Sequence, residues 1–165
     1  MPESDRVSKQ SPSLKARALR LLSRREYSRH ELSQKLLRLG GQNDDGLATD
    51  LEEQITQVLD EFESQGWLSD ERYAHALVRR RSQRCGLRRV SEELQRAGIE
   101  SEMISRISHE LNSSEFERAQ ALWVRKFGEI SSDQKERAKQ YRFLVSKGFS
   151  PELVNRLISG RTPSK

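Results

Sequence analysis

Apolar residues recur along this chain three and four positions apart, the spacing that lines them up on one face of an α-helix. Leu14, Ala18, Leu21 and Leu22 make the first stripe, and Leu32, Leu36 and Leu39 the second. Ile55, Val58, Leu59 and Phe62 follow, then Tyr73, Leu77 and Val78, then Val90, Leu94 and Ala97. Met103, Ile104, Ile107 and Leu111 precede a stripe of Phe116, Ala119, Leu122, Trp123 and Phe127. Tyr141, Leu144 and Val145 come before Leu153, Val154, Leu157 and Ile158. The pattern predicts about nine short helices. No segment shows the strict alternation and β-branched enrichment of a strand. Between Pro12 and Pro151 lie 138 residues without a proline, so the strongest helix breaker is missing throughout.

Start and stop signals bracket the stripes. Ser28 with Glu31, Thr49 with Glu52 and Ser114 with Glu117 read as capping boxes, in which the hydroxyl accepts from a free amide of the first turn. Ser150 before Pro151 places a cap ahead of a proline at the first helical position, where its missing N–H costs nothing. Gly40, Gly66, Gly86, Gly98, Gly128, Gly148 and Gly160 stand where stripes end, as helix-closing residues do.

A repeat underlies this order. The run Gly98-Ile99-Glu100-Ser101-Glu102-Met103-Ile104-Ser105-Arg106-Ile107 lies 50 residues ahead of Gly148-Phe149-Ser150-Pro151-Glu152-Leu153-Val154-Asn155-Arg156-Leu157, with Gly, Glu and Arg identical and apolar positions matched in type. Leu94 falls on Leu144, and Leu32 to Gly40 offers a weaker third copy, followed by a polar loop from Gly41 to Ala48. The expected organisation is all-α, in three tandem three-helix repeats at 14–67, 68–111 and 114–160. A short helical unit cannot bury its apolar face alone, so neighbouring units must stack. Residues 1–13 read as a disordered N-terminal tail and 161–165 as a frayed C-terminal one.

Composition sharpens this picture. Apolar and charged residues each make up 33% of the 165, too few apolar side chains for one thick core and enough for several thin ones. No run of 18 apolar residues exists, which excludes a membrane-spanning helix on this reading. Cys85 stands alone and the N-terminus lacks an apolar stretch of signal-peptide type, so a reducing cytoplasm is expected. His30, His75 and His109 lie too far apart to suggest a metal site.

The net charge of +5 conceals strong banding. Residues 1–43 hold ten Lys/Arg against four Asp/Glu, 44–77 hold one against ten, 78–100 seven against three, and 101–165 twelve against eight. Basic bands favour polyanions through counterion release. The densest cationic feature runs from Arg79 to Arg89: Arg79, Arg80, Arg81, Arg84, Arg88 and Arg89 make six of its eleven residues, and none is acidic. Guanidinium forks grip phosphate bidentately. Arg88 and Arg89 open a helix, where the dipole disfavours cations by about 0.3–1 kcal/mol each, a cost that a bound anion would offset. A second basic group comprises Lys15, Arg17, Arg20, Arg24, Arg25 and Arg29, of which Arg17, Arg20 and Arg24 share a helix face. Either group could equally be a solvated face. The acidic band, including Asp60, Glu61 and Glu63, suits a protein partner or solvent.

Among the aromatic residues, Trp67, Tyr73, Trp123, Phe127, Tyr141 and Phe149 occupy stripe positions and read as core, whereas Tyr27 is the better exposed candidate for stacking. Catalysis finds no support. There is no Gly-rich phosphate loop, no His-Glu-x-x-His and no Cys/His arrangement, and no metal or cofactor is expected. Cys85 among arginines could carry an acidified thiol, though a lone cysteine in a turn is ordinarily incidental.

The run Gly66-Trp67-Leu68-Ser69-Asp70-Glu71-Arg72-Tyr73-Ala74 resembles the Gly-aromatic-Leu-Asp-Asp-x-Arg-aromatic-Ala signature of RecX-type regulatory proteins. The arginine-rich stretch, Gly86, Glu93-Leu94 and Gly98-Ile99 follow in that family's order. Tyr27-Ser28-x-x-Glu31-Leu32 and Trp123 with Lys126-Phe127-Gly128 also fit, so the resemblance covers about 14–159. Three departures are local: Arg84 stands where a second glycine is frequent, Leu87 where proline is frequent, and Ser69 where an acid is usual.

The resemblance implies an elongated, curved array of the three repeats, without cofactor or catalysis. It implies a modulator of the RecA recombinase that binds in the groove of the RecA–single-stranded-DNA filament and limits its extension. ATP hydrolysis, strand exchange and co-protease activity would fall. The candidate contacts to DNA or RecA are Arg79, Arg80, Arg81, Arg84, Arg88 and Arg89, with Arg17, Arg20, Arg24 and Arg25, while Asp60, Glu61 and Glu63 would face basic RecA surface. Contact with single-stranded DNA should be weak and salt-sensitive. No apolar seam is left over for dimerisation, so a monomer is expected. The alternative is a transcription-type DNA-binding module, because Leu21 to Leu39 resembles a helix-turn-helix.

Overall fold

A computed structural model describes residues 12–40 and 48–160 of the chain. Residues 1–11 of the tail expected at 1–13, most of the Gly41 to Ala48 loop and the 161–165 tail lie outside the described residues. Within them are nine helices and no strand. They are α1 (Leu14–Leu22), α2 (Arg29–Gly40), α3 (Ala48–Ser64), α4 (Asp70–Arg81), α5 (Leu87–Arg96), α6 (Ser101–Asn112), α7 (Glu115–Phe127), α8 (Gln134–Ser146) and α9 (Pro151–Ile158).

Two of the expected caps form, and a third appears beside them. Ser28 Oγ accepts from the Glu31 amide at 3.0 Å, Ser150 Oγ from Leu153 at 3.3 Å, and Ser13 Oγ, a cap not foreseen, from Ala16 at 3.2 Å. One expected box does not form, and the Thr49 side chain, one residue into α3, lies outside those described. Ser114 precedes α7, but its hydroxyl donates backwards to the Leu111 carbonyl at 3.3 Å and accepts from Arg118 Nε at 3.2 Å. That hydroxyl is taken up by an arginine four residues on, so it does not serve the amides of its own helix.

Each set of three helices buries a small core of its own. Ala18, Leu32, Leu36, Ile55, Leu59, Phe62 and Leu68 fill the first, Tyr73, Ala74, Leu77, Val90, Leu94 and Ile107 the second, and Ala119, Leu122, Trp123, Leu144, Phe149 and Val154 the third. Thin cores follow from the low apolar content. In every set the second and third helices make the main packed pair. The chain divides between Ser69 and Asp70 into two compact units, α1–α3 in one and α4–α9 in the other.

The 50-residue repeat recurs in the backbone of its two turns. Gly98 closes α5 at φ +75° and Gly148 closes α8 at φ +93°, a conformation in which a Cβ would collide with its own carbonyl. Ile99 N–H then donates to Leu94 O at 3.1 Å, as Phe149 N–H donates to Leu144 O at 3.4 Å. Both apolar residues following the glycine are buried, and so are Leu94 and Leu144. The turn therefore plugs the same hole in each core.

Candidate polyanion-binding corner

The arginine-rich stretch forms the corner between α4 and α5. Ser82 and Cys85 amides still bond back to Val78 and Arg81 carbonyls at 2.8 and 2.9 Å, and the next amide, Gly86, crosses to Lys147 O at 2.9 Å. A Cβ on Gly86 would lie 2.4 Å from the Gly148 carbonyl carbon and oxygen and from the Phe149 nitrogen. Gly86 therefore does not close a helix, contrary to its expected role. It starts α5, and it is glycine because two backbones touch there. Arg88 N–H donates to Gly148 O at 3.3 Å and one Arg88 guanidinium nitrogen to Val145 O at 3.2 Å. The corner is thus joined to the α8–α9 turn.

Two residues that the sequence did not single out secure it. Glu115 is buried, and its Oε1 accepts from the Leu87 amide, the first of α5, at 2.8 Å. Gly86 has no side chain to cap this helix, so a carboxylate from α7 supplies the cap and places negative charge on the dipole's positive end. A proline at position 87 would have no N–H to give, and this chain has leucine. The anion expected to offset Arg88 and Arg89 is therefore internal. Arg118, half-buried beneath the corner, donates to the carbonyls of Ser82 at 2.9 Å, Cys85 at 3.2 Å and Leu111 at 3.0 Å. Burial lowers its pKa, and the charge of Glu115 opposes that shift. The only sequence signal for the pair is the three-residue spacing of Glu115 and Arg118 at the start of α7.

The corner backbone is sealed while its cations are not. Arg79, Arg80, Arg81, Arg84, Arg88 and Arg89 are all exposed. Arg81 pairs with Glu93 at 2.9 Å and Arg88 with Glu92 at 3.4 Å. Among the described residues, Arg79, Arg80, Arg84 and Arg89 have no carboxylate partner, and these four present unneutralised charge. Cys85 is buried with Gly86.

The first unit handles its charge differently. Arg20 and Arg24 are exposed, but Arg17 donates to Leu39 O at 3.2 Å. Arg25 lies 3.7 Å over the Tyr27 ring and pairs with Glu31 at 2.9 Å. Arg29 binds Asp60 at 2.6 Å and Glu63, and Lys15 binds Glu61 at 2.6 Å. Burial alone would lower the Arg29 pKa, but the hydrogen bond to Asp60 and the charges of Glu63 and Asp60 raise it. Burial likewise works against Arg25, and its hydrogen bond and charge contact with Glu31 raise it. Asp60, Glu61 and Glu63, read as a partner surface, each hold a cation from α1 or the start of α2.

The aromatic expectations need two corrections. Tyr27 is buried at 8% exposure, packed in the first core with Arg25 across its face. Trp67, assigned to a core, is 46% exposed and meets Phe62 edge-on at 5.3 Å between ring centres. It is Leu68, one residue on, that fills the core. Trp123 is buried, and its indole N–H donates to Gln140 Oε1 at 3.0 Å. Among the described residues no three His, Cys, Asp or Glu side chains gather as a metal-ligand set.

Residues 15–40, 69–111 and 113–158 match, in that order, models of the first, second and third three-helix domains of RecX. The chain belongs to the RecX family. "Regulatory protein RecX" of Ralstonia nicotianae is 41% identical over 152 residues, covering 92% of this chain and 90% of that protein. The Herminiimonas arsenicoxydans protein of the same name is 42% identical over 148 residues, covering 90% and 92%. The RecX crystal structure from Lactobacillus salivarius superposes with a TM-score of 0.69 at 20% identity, over 89% of this chain and 93% of that one, and so shares the fold. RecX relatives are named as regulatory proteins, which points away from an enzyme. No described helix is long and apolar enough to cross a membrane.

Proposed function

We propose that this protein is a non-enzymatic, cytoplasmic and monomeric regulator of RecA. It binds in the groove of the RecA–single-stranded-DNA filament, limits filament extension, and thereby lowers ATP hydrolysis, strand exchange and co-protease activity. Membership of the RecX family supports a RecA partner. The observation that carries the contact is the α4–α5 corner, where Arg79, Arg80, Arg84 and Arg89 project exposed and without carboxylate partners from a backbone held rigid by the third repeat. A rigid cationic edge binds a phosphate or acidic surface with little ordering cost. Arg81 and Arg88 join it once their exposed pairs with Glu93 and Glu92 exchange for the partner, since such pairs contribute at most about 1 kcal/mol. Arg20 and Arg24 offer a second, sparser contact on α1. The acidic residues Asp60, Glu61 and Glu63 already hold cations, so the arginine corner takes the leading part.

The test is RecA ATP hydrolysis on single-stranded DNA with the wild-type chain and with R79E/R80E/R84E. The variant should keep its helicity and inhibit far less. A folded triple variant that inhibits as well as the wild type removes the arginine assignment. A selected duplex sequence bound with a large specificity ratio would favour the helix-turn-helix regulator instead.

A further inference from the structure

The corner runs into an open groove of about 490 Å³ between the Ser82–Gly86 turn and helices α7 and α8. Arg84 lines it from the turn, Arg125 and Lys126 from α7, and Lys147 from the end of α8, with Phe143 between them. No carboxylate lines it, and among the described residues none of the four cations has an ion pair. This contrasts with the first unit, where Lys15, Arg25 and Arg29 each meet a carboxylate.

Three of the four charges are also held in place. Arg125 donates to the Gln83 carbonyl at 3.4 Å, and Lys147 and Lys126 sit 5.4 and 6.0 Å from the Phe143 ring centre. Phe143 is itself braced edge-on by Phe127 at 5.3 Å. Cations gathered around one cavity repel one another, and an anion in the groove would relieve that repulsion. The cluster draws on residues 84 and 125–147, so it exists only where the second and third repeats meet.

We propose that this groove binds the backbone of a single-stranded polynucleotide, with Lys126, Lys147, Arg84 and Arg125 on consecutive phosphates. A single carboxylate has two oxygens to share among four cations, whereas a nucleic acid strand brings one charged phosphate with every nucleotide. The half-exposed Phe143 ring offers a surface to a base. The role of the site rests on the filament reading above, but the site is tested on DNA alone.

The probe is fluorescent oligo(dT), titrated against wild type, K126Q/K147Q and the charge-matched control K135Q/K139Q on the exposed side of α8. The groove variant should bind about ten-fold more weakly at low salt. Its slope of log affinity against log salt should fall by about 1.4, two lost contacts at roughly 0.7 each. The control should stay within two-fold. Arg84→Gln, at an exposed turn position, removes one contact and should lower the slope by about 0.7, which serves if the double variant loses helicity. Wild-type affinity in the groove variants, or no binding of oligo(dT) by the wild type, overturns the proposal. Unchanged oligonucleotide binding with lost RecA inhibition also overturns it, assigning the groove to a protein surface while the filament reading stands. Groove-dependent oligonucleotide binding by a chain that leaves RecA ATPase untouched supports the groove and removes the filament reading.

Discussion

Gly86 and Gly148 meet backbone to backbone, close enough that a methyl group on Gly86 would lie 2.4 Å from three main-chain atoms. No side-chain rotation relieves such a contact. The junction between the second and third repeats is therefore built on the absence of two side chains.

Gly86→Ala should destabilise the α4–α9 unit by about 1–3 kcal/mol, at the upper end because the obstacle is backbone. Gly66→Ala is the contrasting case: φ is +73° but nothing lies within 4 Å of the added Cβ, so the cost is conformational alone, about 1–2 kcal/mol. Urea unfolding of the two variants, read by circular dichroism, measures both. Gly86 has φ −74°, which an alanine adopts freely, so a Gly86→Ala loss under about 0.5 kcal/mol would mean that the backbone contact contributes nothing.

Glu115 should matter to stability out of proportion to its type. Glu115→Ala leaves the Leu87 amide without its acceptor and Arg118 without its neighbouring charge, at a cost of about 1–3 kcal/mol. Glu115→Gln keeps an oxygen for the amide and should lose roughly half as much. Hydrogen exchange at Leu87 localises the effect, with protection falling there before it falls in α2.

The equivalence of the second and third repeats predicts matched core penalties. Leu94 and Leu144 are both fully buried before their turn glycines, so Leu94→Ala and Leu144→Ala should each cost about 2–5 kcal/mol. Val124, 48% exposed on α7, provides the control, and Val124→Ala should stay within about 0.5 kcal/mol. Thermal or urea midpoints rank the three.

The acidic residues of α3 should behave as surface ion pairs. Asp60→Asn and Glu63→Gln each remove one partner of Arg29 and should lower stability by at most about 1 kcal/mol. The loss should shrink in 1 M salt, where screening acts within roughly 3 Å. RecA inhibition by the two variants should remain near wild type, because those carboxylates face Arg29. A strong loss of inhibition in a stable variant would return them to the partner surface.

Helix positions and the repeat could be read from the chain because both depend on neighbours in sequence. Leu94, Gly98 and Ile99 specify a helix end within six residues, and Leu144, Gly148 and Phe149 specify it again. The arginine cluster was equally visible, as six like charges in eleven residues. Local reading failed where one position must choose between core and solvent. Trp67 and Leu68 both follow the Gly66 turn, and the turn geometry sends the leucine inward. Ser114 resembled a cap until Arg118 claimed its hydroxyl.

By itself, then, the sequence determined an all-helical chain of repeated three-helix sets with banded charge, because periodicity, glycine turns and charge density are properties of adjacent residues. Only the tertiary structure decided which charges remain available. Arg29 meets Asp60 across 31 positions and Glu115 meets Leu87 across 28, whereas Arg84, Arg125, Lys126 and Lys147 converge with no carboxylate among them. Charges neutralise one another through space, and folding sets those distances.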